Sequence, residues 1–362
     1  MGLKVVLAGG YDTQNFGDHA ALWGLKQVLP EGSQITLLSR HPELPLPVEV
    51  IPLKNLDANS KAEAGKYFRG FNIGDSTEHM EEIRKAISDC DVVLLGGGRM
   101  FVDYTVGYMR GHLAYFAELT KLAKWHNKPV GLINNTFVPL STELGKEQLG
   151  FIQENAAFSI VRDMESHKVV RSRRAPDLAY LLARRKIERE REPIMAVNVR
   201  SYAWRGDNVE EWEARLRGFL VKVAEGLSLE LKFVPQQIYG VDTPEMDDRQ
   251  VADRIFSGQE SCVSSMDEAL EEYASASCLV SMRRHGIIMA ATRNTPSIAI
   301  ESEGNTHMAA QEVGTITVSP EQASKAIDFL GHRMKVDSNL DKLCLALAQE
   351  AETVYKDEFS KL

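Results

Sequence analysis

The run Ser281-Met282-Arg283-Arg284-His285-Gly286 puts two guanidiniums and an imidazole between a predicted strand, Cys278–Ser281, and a predicted helix, Gly286–Thr292. A helix N-terminus carries partial positive charge and disfavours cations, so helical preference does not explain the cluster. An anionic ligand does, because fixed guanidiniums and free backbone N–H groups at a helix start hold phosphate or carboxylate. A lone histidine is more often a structural hydrogen bonder, but beside two arginines at a strand tip the imidazole adds a group that can give or take a proton near neutral pH.

Three further segments stand at predicted strand tips. Gly9-Gly10-Tyr11-Asp12-Thr13-Gln14-Asn15-Phe16-Gly17-Asp18 joins the first strand to the first helix. Its glycines admit close backbone approach, and the helix start suits an anion; the plainer reading is a long turn with Asp18 as the N-cap. It is neither GxGxxG nor GxxxxGK[ST]. Leu95-Gly96-Gly97-Gly98-Arg99 can cradle an anion on backbone N–H groups, or be a bare glycine turn. Ser159–Ser166 places Arg162 and Asp163 at a strand tip, where they form either an anion contact or a local ion pair with an N-cap. His112, His126 and His307 have no partners at metal-ligand spacing, and neither HExxH nor GxSxG occurs, so no metal site is expected. Tyr202, Trp204 and Arg205 either line a ligand cleft or cover a sheet end.

What positions these tips is a repeated alternation of short apolar runs with amphipathic stretches, the mark of βα units. Strands are expected at Lys4–Ala8, Ile35–Leu38, Val48–Pro52, Asp91–Leu95, Val130–Asn134 and Phe158–Val161, with a polar irregular stretch over 55–77. Residues 182–193 are dense in charge and read as a linker. A second series restarts at Ile194–Val199 and continues through Leu229–Val234, Cys278–Ser281 and Pro296–Ile300. The chain therefore reads as α/β with two Rossmann-like domains, 1–181 and 194–335, facing across a cleft. A C-terminal helical segment, 336–362, is expected to cross back. Ligands of open parallel sheets sit at the carboxyl ends of the strands, where all four motifs fall.

A net charge of −9 over 362 residues argues against a general nucleic-acid binder, which needs a basic face. Four cysteines without a CxxC pair fit a reducing, cytoplasmic setting and no zinc site. The N-terminus runs straight into a strand, so no signal peptide is expected, and position 6 lacks the Ser or Thr of a myristoylation signal. No apolar run is long enough to span a bilayer, which limits any membrane role to peripheral contact.

In their order along the chain, these segments resemble the polysaccharide pyruvyl transferase family. The matching pieces are Asn15-Phe16-Gly17-Asp18, Leu94–Gly98, Val161-Arg162-Asp163 with Glu165-Ser166, and Pro176–Ala179. Val197–Arg200, Val234-Pro235-Gln236, Met282–Gly286 and Thr295–Ala299 complete the set, which spans roughly residues 4 to 318. The resemblance implies a fold like the GT-B glycosyltransferases and transfer of a pyruvyl group from phosphoenolpyruvate to sugar hydroxyls as a cyclic ketal. It puts the family's Arg-x-His motif on Arg283 and His285. His285 is then the expected general acid, with Arg283 and Asp18 beside it as catalytic candidates. Arg162, Arg200, Arg284, Gly97, Gly98 and Asn15 are the donor-binding candidates, and Asp163 is a second carboxylate able to orient an Arg or take a hydroxyl proton. Phosphoenolpyruvate is the donor substrate, with no other cofactor. The acceptor is a saccharide, free or lipid- or nucleotide-linked. The chain differs from the family at Asn134–Pro139, where a GxGxGP-like segment is usual, and at Glu301–Asn305, where Tyr-x-x-Lys is usual. The alternatives are a GT-B glycosyltransferase using a nucleotide sugar and a non-catalytic saccharide binder.

Overall fold

The structure, a computed structural model, describes residues 2–11, 15–39, 48–52, 77–103, 111–200, 208–238, 247–256, 263–301, 304–336 and 339–362. Of the expected irregular stretch 55–77, residues 55–76 lie outside them, as do the trio Tyr202, Trp204 and Arg205 and Ser302-Glu303, while Thr77 starts a helix. The described chain divides into two compact units. One comprises 1–13, 21–178 and 350–362, the other 14–20 and 179–349.

The first unit is built on seven parallel strands. In chain order its elements are β1 (Lys4–Gly9), α1 (Phe16–Val28), β2 (Gln34–Ser39), β3 (Glu49–Pro52), α2 (Thr77–Asp89) and β4 (Val92–Phe101). There follow α3 (Gly111–Trp125), β5 (Val130–Phe137), α4 (Glu143–Asn155), β6 (Phe158–Val161), α5 (Met164–Val169) and β7 (Arg173–Arg174). The first turn of α1 counts with the second unit. The strand order is β3-β2-β1-β4-β5-β6-β7, so the winding reverses between β1 and β4. Sheets covered on both faces need continuous apolar strands, which is why Val5–Ala8 and Val92–Leu95 are wholly buried.

The long stretch of the second unit opens within a 3₁₀ helix, Leu178–Arg184, whose first residue counts with the first unit. It continues with β8 (Glu192–Asn198), α6 (Val209–Leu227), β9 (Glu230–Phe233), α7 (Asp248–Phe256), α8 (Met266–Ser275) and β10 (Ala276–Ser281). Then come α9 (Arg284–Ala291), β11 (Ser297–Ile300), α10 (Gly304–Glu312), β12 (Thr317–Val318), α11 (Ala323–Arg333) and α12 (Leu340–Phe359). Its five parallel strands run β12-β11-β10-β8-β9, and the winding reverses between β8 and β10. Residues 350–362, the C-terminal part of α12, count with the first unit. Each unit has its own core. One gathers β1, β4, β5, α3 and α4 around Phe101 and Phe116; the other gathers β8, β10, α6 and α11 around Phe219 and Leu220.

Helix starts follow local chemistry. Thr142, Asp163, Asn208 and Ser265 each accept a backbone N–H in the first turn of α4, α5, α6 and α8, worth about 1 kcal/mol apiece. The expected strand 91–95 is longer than anticipated. It runs through the glycines to Phe101, because Gly96, Gly97 and Gly98 take φ of +154°, +77° and +79° and absorb a register shift against β5. Among the described residues no helix is long and apolar enough to cross a membrane.

Candidate functional site

The switch point of the second unit lies where β8 and β10 part. Asn198 ends β8 and is fully buried; its Nδ2 donates to the Val234 carbonyl at 2.8 Å, and its Oδ1 accepts from Ser281 Oγ at 2.8 Å. Ser281 Oγ in turn accepts the Arg283 N–H at 3.0 Å. This pair bridges the reversal and ties the end of β8 to the start of α9. Gly286 fits only because it has no side chain: a Cβ there would stand 2.6 Å from Asn198 Oδ1 and 2.7 Å from Ser281 Oγ.

Arg283 is the N-cap residue of α9 and makes no side-chain cap bond. Its guanidinium goes elsewhere. NH1 donates to Gln237 Oε1 at 2.8 Å, and NH2 donates to Asp248 Oδ1. Nε is buried with no hydrogen-bond partner among the described residues. Asp248, the first residue of α7, is fully buried, and its Oδ2 accepts the backbone N–H groups of Gln236 and Gln237 at 3.1 and 3.0 Å. Burial pushes the Asp248 carboxyl upward, and the Arg283 charge and the two N–H groups oppose that push. Gln236 is anchored behind the site, its Nε2 donating to Tyr273 Oη at 2.7 Å.

The start of α1 joins this cluster. Asn15 pairs with Gln237 as an isolated antiparallel bridge, and the Phe16 N–H donates to the Gln236 carbonyl at 2.8 Å. Asn15 Nδ2 also reaches Gln237 Oε1 at 3.5 Å. The cap of α1 is Asn15, whose Oδ1 accepts the Gly17 N–H at 2.9 Å; this corrects the reading of Asp18 as the cap and puts Asp18 inside the first turn. Gly17 then meets His285. A Cβ on Gly17 would overlap the imidazole at Nδ1, Cγ and Cβ. The starts of α1 and α9 thus converge on one half-buried imidazole, and both helix termini favour negative charge.

Of the expected site residues, Asn15, Asp18, Arg283 and His285 fall at or beside this cluster. Arg200 lies half-buried two residues past the end of β8. Arg284 turns the other way. It is buried and bonds Glu312 Oε2 at 3.2 Å, an oxygen that also accepts from Tyr180 Oη at 3.0 Å. Its guanidinium ties α9 to the end of α10. Burial and the adjacent Glu312 carboxylate push the Tyr180 phenol well up.

The remaining candidates belong to the first unit. Arg162 is buried there. Its NH1 bonds Asp177 Oδ2 at 2.9 Å and its Nε bonds Thr136 Oγ1 at 2.9 Å. Asp163 caps α5 by accepting the Ser166 N–H at 2.7 Å and takes a second bond from Thr136 Oγ1 at 2.9 Å. The plainer reading of this motif, an ion pair plus an N-cap, describes both residues, with Asp177 as the ion-pair partner. Arg162 and Asp163 thus sit in the interior of the first unit, where their printed bonds run to Thr136, Asp177 and the start of α5.

Asn134–Thr136, where the chain departs from the family pattern, is the floor of the same network. Asn134 takes φ of +52°, and its amide bonds Asp177 Oδ1 at 3.4 Å and the Leu178 N–H at 3.2 Å. Gly97 packs on the Tyr11 ring, while Gly98 faces open space. Among the described residues no group of three or more His, Cys, Asp or Glu is placed to hold a metal ion.

Two doubly wound parallel sheets, with a polar cluster at the switch point of the second, define an α/β fold of the GT-B type. A family model for polysaccharide pyruvyl transferase matches residues 15–304, and the chain belongs to that family of transferases. Solved structures share the fold at low identity. A putative UDP-N-acetylglucosamine 2-epimerase from Listeria monocytogenes has a TM-score of 0.58 and 11% identity over 99% of this chain and 94% of its own. An α-glucosyltransferase solved with UDP and a 13-mer DNA has a TM-score of 0.57 and 10% identity over 99% and 98%. The UDP-GlcNAc 2-epimerase of Methanocaldococcus jannaschii has a TM-score of 0.55 and 12% identity over 96% and 100%. No curated protein sequence matches the chain.

Proposed function

We propose that the protein transfers the pyruvyl group of phosphoenolpyruvate to two hydroxyls of a saccharide, forming a cyclic ketal and releasing phosphate. The observation that carries this reading is the junction of Arg283 and His285 with the starts of α1 and α9. It offers a fixed guanidinium, two helix termini and an imidazole within one cluster. A donor with about three negative charges on a small frame suits such a place.

The chemistry divides among few groups. Arg283, oriented by Asp248 and Gln237, holds an anionic group of the donor. Its buried Nε is a donor that the described residues leave unspent. The protonated His285 gives its proton to the methylene carbon, which becomes a methyl group, and the adjacent carbon turns oxocarbenium-like. One saccharide hydroxyl adds to that carbon. Phosphate then leaves with its bonding pair, and a second hydroxyl closes the ketal. Of the two hydroxyl protons, one balances the proton given to the methylene and the other goes with phosphate or solvent.

The test is phosphate release from phosphoenolpyruvate against a panel of free, lipid-linked and nucleotide-linked saccharides, with UDP- and GDP-sugars as control donors. Acceptor-dependent phosphate release is expected. Tight UDP-sugar binding without phosphoenolpyruvate binding would replace this reading with a glycosyltransferase.

A further inference from the structure

We infer that Asp248 is the positioning residue of the site, orienting Arg283 directly and the Gly17–His285 contact through Gln237 and Asn15. This rests on the reading of Arg283 as an anion-holding group.

Asp248 has no place in any motif, yet both of its carboxylate oxygens are engaged within the cluster. One oxygen takes the Arg283 guanidinium; the other takes two consecutive backbone N–H groups at 3.1 and 3.0 Å. A carboxylate held at both ends cannot swing to follow a ligand, so the guanidinium it grips is fixed as well. Asp248 is 0% exposed, so it is an internal brace and does not itself meet a ligand.

The same oxygen that takes the two N–H groups shapes the 236–237 segment. That segment is stitched on its other side to the start of α1, by the Asn15–Gln237 bridge and by the Phe16 N–H on the Gln236 carbonyl at 2.8 Å. Gln237 Oε1 receives Arg283 at 2.8 Å and Asn15 at 3.5 Å. Asn15 then holds Gly17, the residue the imidazole packs on. One buried carboxylate is therefore common to both arms of the site. Replacing it with an amide keeps the shape, but turns an N–H₂ towards either the guanidinium or the two backbone N–H groups, donor against donor.

Asp248→Asn, Arg283→Lys and the double variant decide the matter. The readouts are KM for phosphoenolpyruvate, KM for the acceptor, and calorimetric binding of inorganic phosphate. Asp248→Asn is expected to raise donor KM and phosphate Kd about ten-fold or more with acceptor KM within about three-fold, and the double variant should lose little beyond the worse single. Unchanged donor KM, equal loss for donor and acceptor, or additive losses in the double variant would overturn the inference. Should Asp248→Asn not fold, Gln237→Ala serves, with a several-fold rise in donor KM expected and none overturning it. If the wild type binds phosphate but releases none from phosphoenolpyruvate, the functional reading fails and the phosphate arm still judges Asp248. A wild type that binds neither overturns both.

Discussion

The His285 imidazole packs on the bare backbone of Gly17, with no room between them for a methyl group. Two residues far apart in the chain are thereby locked, and the ring's orientation depends on an absent side chain. Gly17→Ala should push the ring from its place and cost about 1–3 kcal/mol of stability by overpacking. Turnover should fall by about two orders of magnitude, since a displaced acid is close to a lost one. Adding His285→Ala to Gly17→Ala should restore the melting temperature without restoring turnover. Chemical denaturation with parallel kinetics checks this, and an undisturbed Gly17→Ala enzyme would free His285 from its assigned geometry.

His285 and Arg283 should separate in their kinetic signatures. His285→Ala is expected to lose about two to four orders of magnitude in turnover, with donor affinity changing far less. Arg283→Ala should weaken donor binding strongly. It also strips the buried Asp248 of its cation, which costs about 3–5 kcal/mol, so it must be assayed below its lowered melting temperature. Calorimetry and initial rates on both variants, with circular dichroism for folding, make the comparison. Near-normal turnover in a folded His285→Ala protein would make the histidine structural.

The paired sheets and the strand-tip placement of three motifs were legible in the sequence, because apolar runs buried on both faces alternate with amphipathic stretches; the fourth, Gly96–Gly98, lies inside β4, since glycines with positive φ carry the strand on where the sequence suggested an end. The Arg283–His285 cluster was legible because cations at a helix start oppose the local dipole. Gln237 and Asp248 were not. Gln237 follows directly on the Val234-Pro235-Gln236 piece without belonging to it, and Asp248 lies further on at the start of an ordinary amphipathic helix. What marks them is their meeting with Asn15 and Arg283, which chain spacing does not encode. The strand-tip arginine of the first unit shows the reverse. Arg162 has the residue type of an anion binder, and only its burial beside Asp177 and Thr136 reveals it as a core ion pair.

That assignment of Arg162 has its own consequence. The side chains of Arg162 and Asp177 are 4% and 0% exposed, and removing one partner leaves the other charged and buried. Arg162→Ala is expected to destabilise the protein by about 3–5 kcal/mol, while the molecules that remain folded keep donor affinity. Arg162→Met paired with Asp177→Leu should recover much of the loss, because a buried ion pair gives little net stability over an apolar pair of its size. Urea denaturation and calorimetric donor titration measure the two effects. A selective fall in donor affinity at unchanged stability would return Arg162 to the ligand.

The buried thiols set an alkaline limit on stability. Burial pushes Cys90 up to about 11, and Cys278 and Cys344 up to about 12, from an ordinary 9.0. A thiol whose folded value is raised releases its proton more readily once unfolded. Its contribution to stability is therefore whole below 9.0 and drains away as pH rises towards 11 and 12. Each thiol accounts for up to about 1.4 kcal/mol per pH unit inside that window. The urea midpoint should hold steady from pH 7 to 8.5 and decline above 9. Cys278→Ala should decline less steeply than the wild type, which separates the thiol from lysine and tyrosine titration. The native protein at pH 8 should also leave all three thiols unlabelled by a disulfide reagent that modifies them at once in urea. Prompt labelling of Cys278 in the native protein, or a midpoint whose slope above pH 9 is indifferent to Cys278→Ala, would show that the thiols are not sealed in the interior.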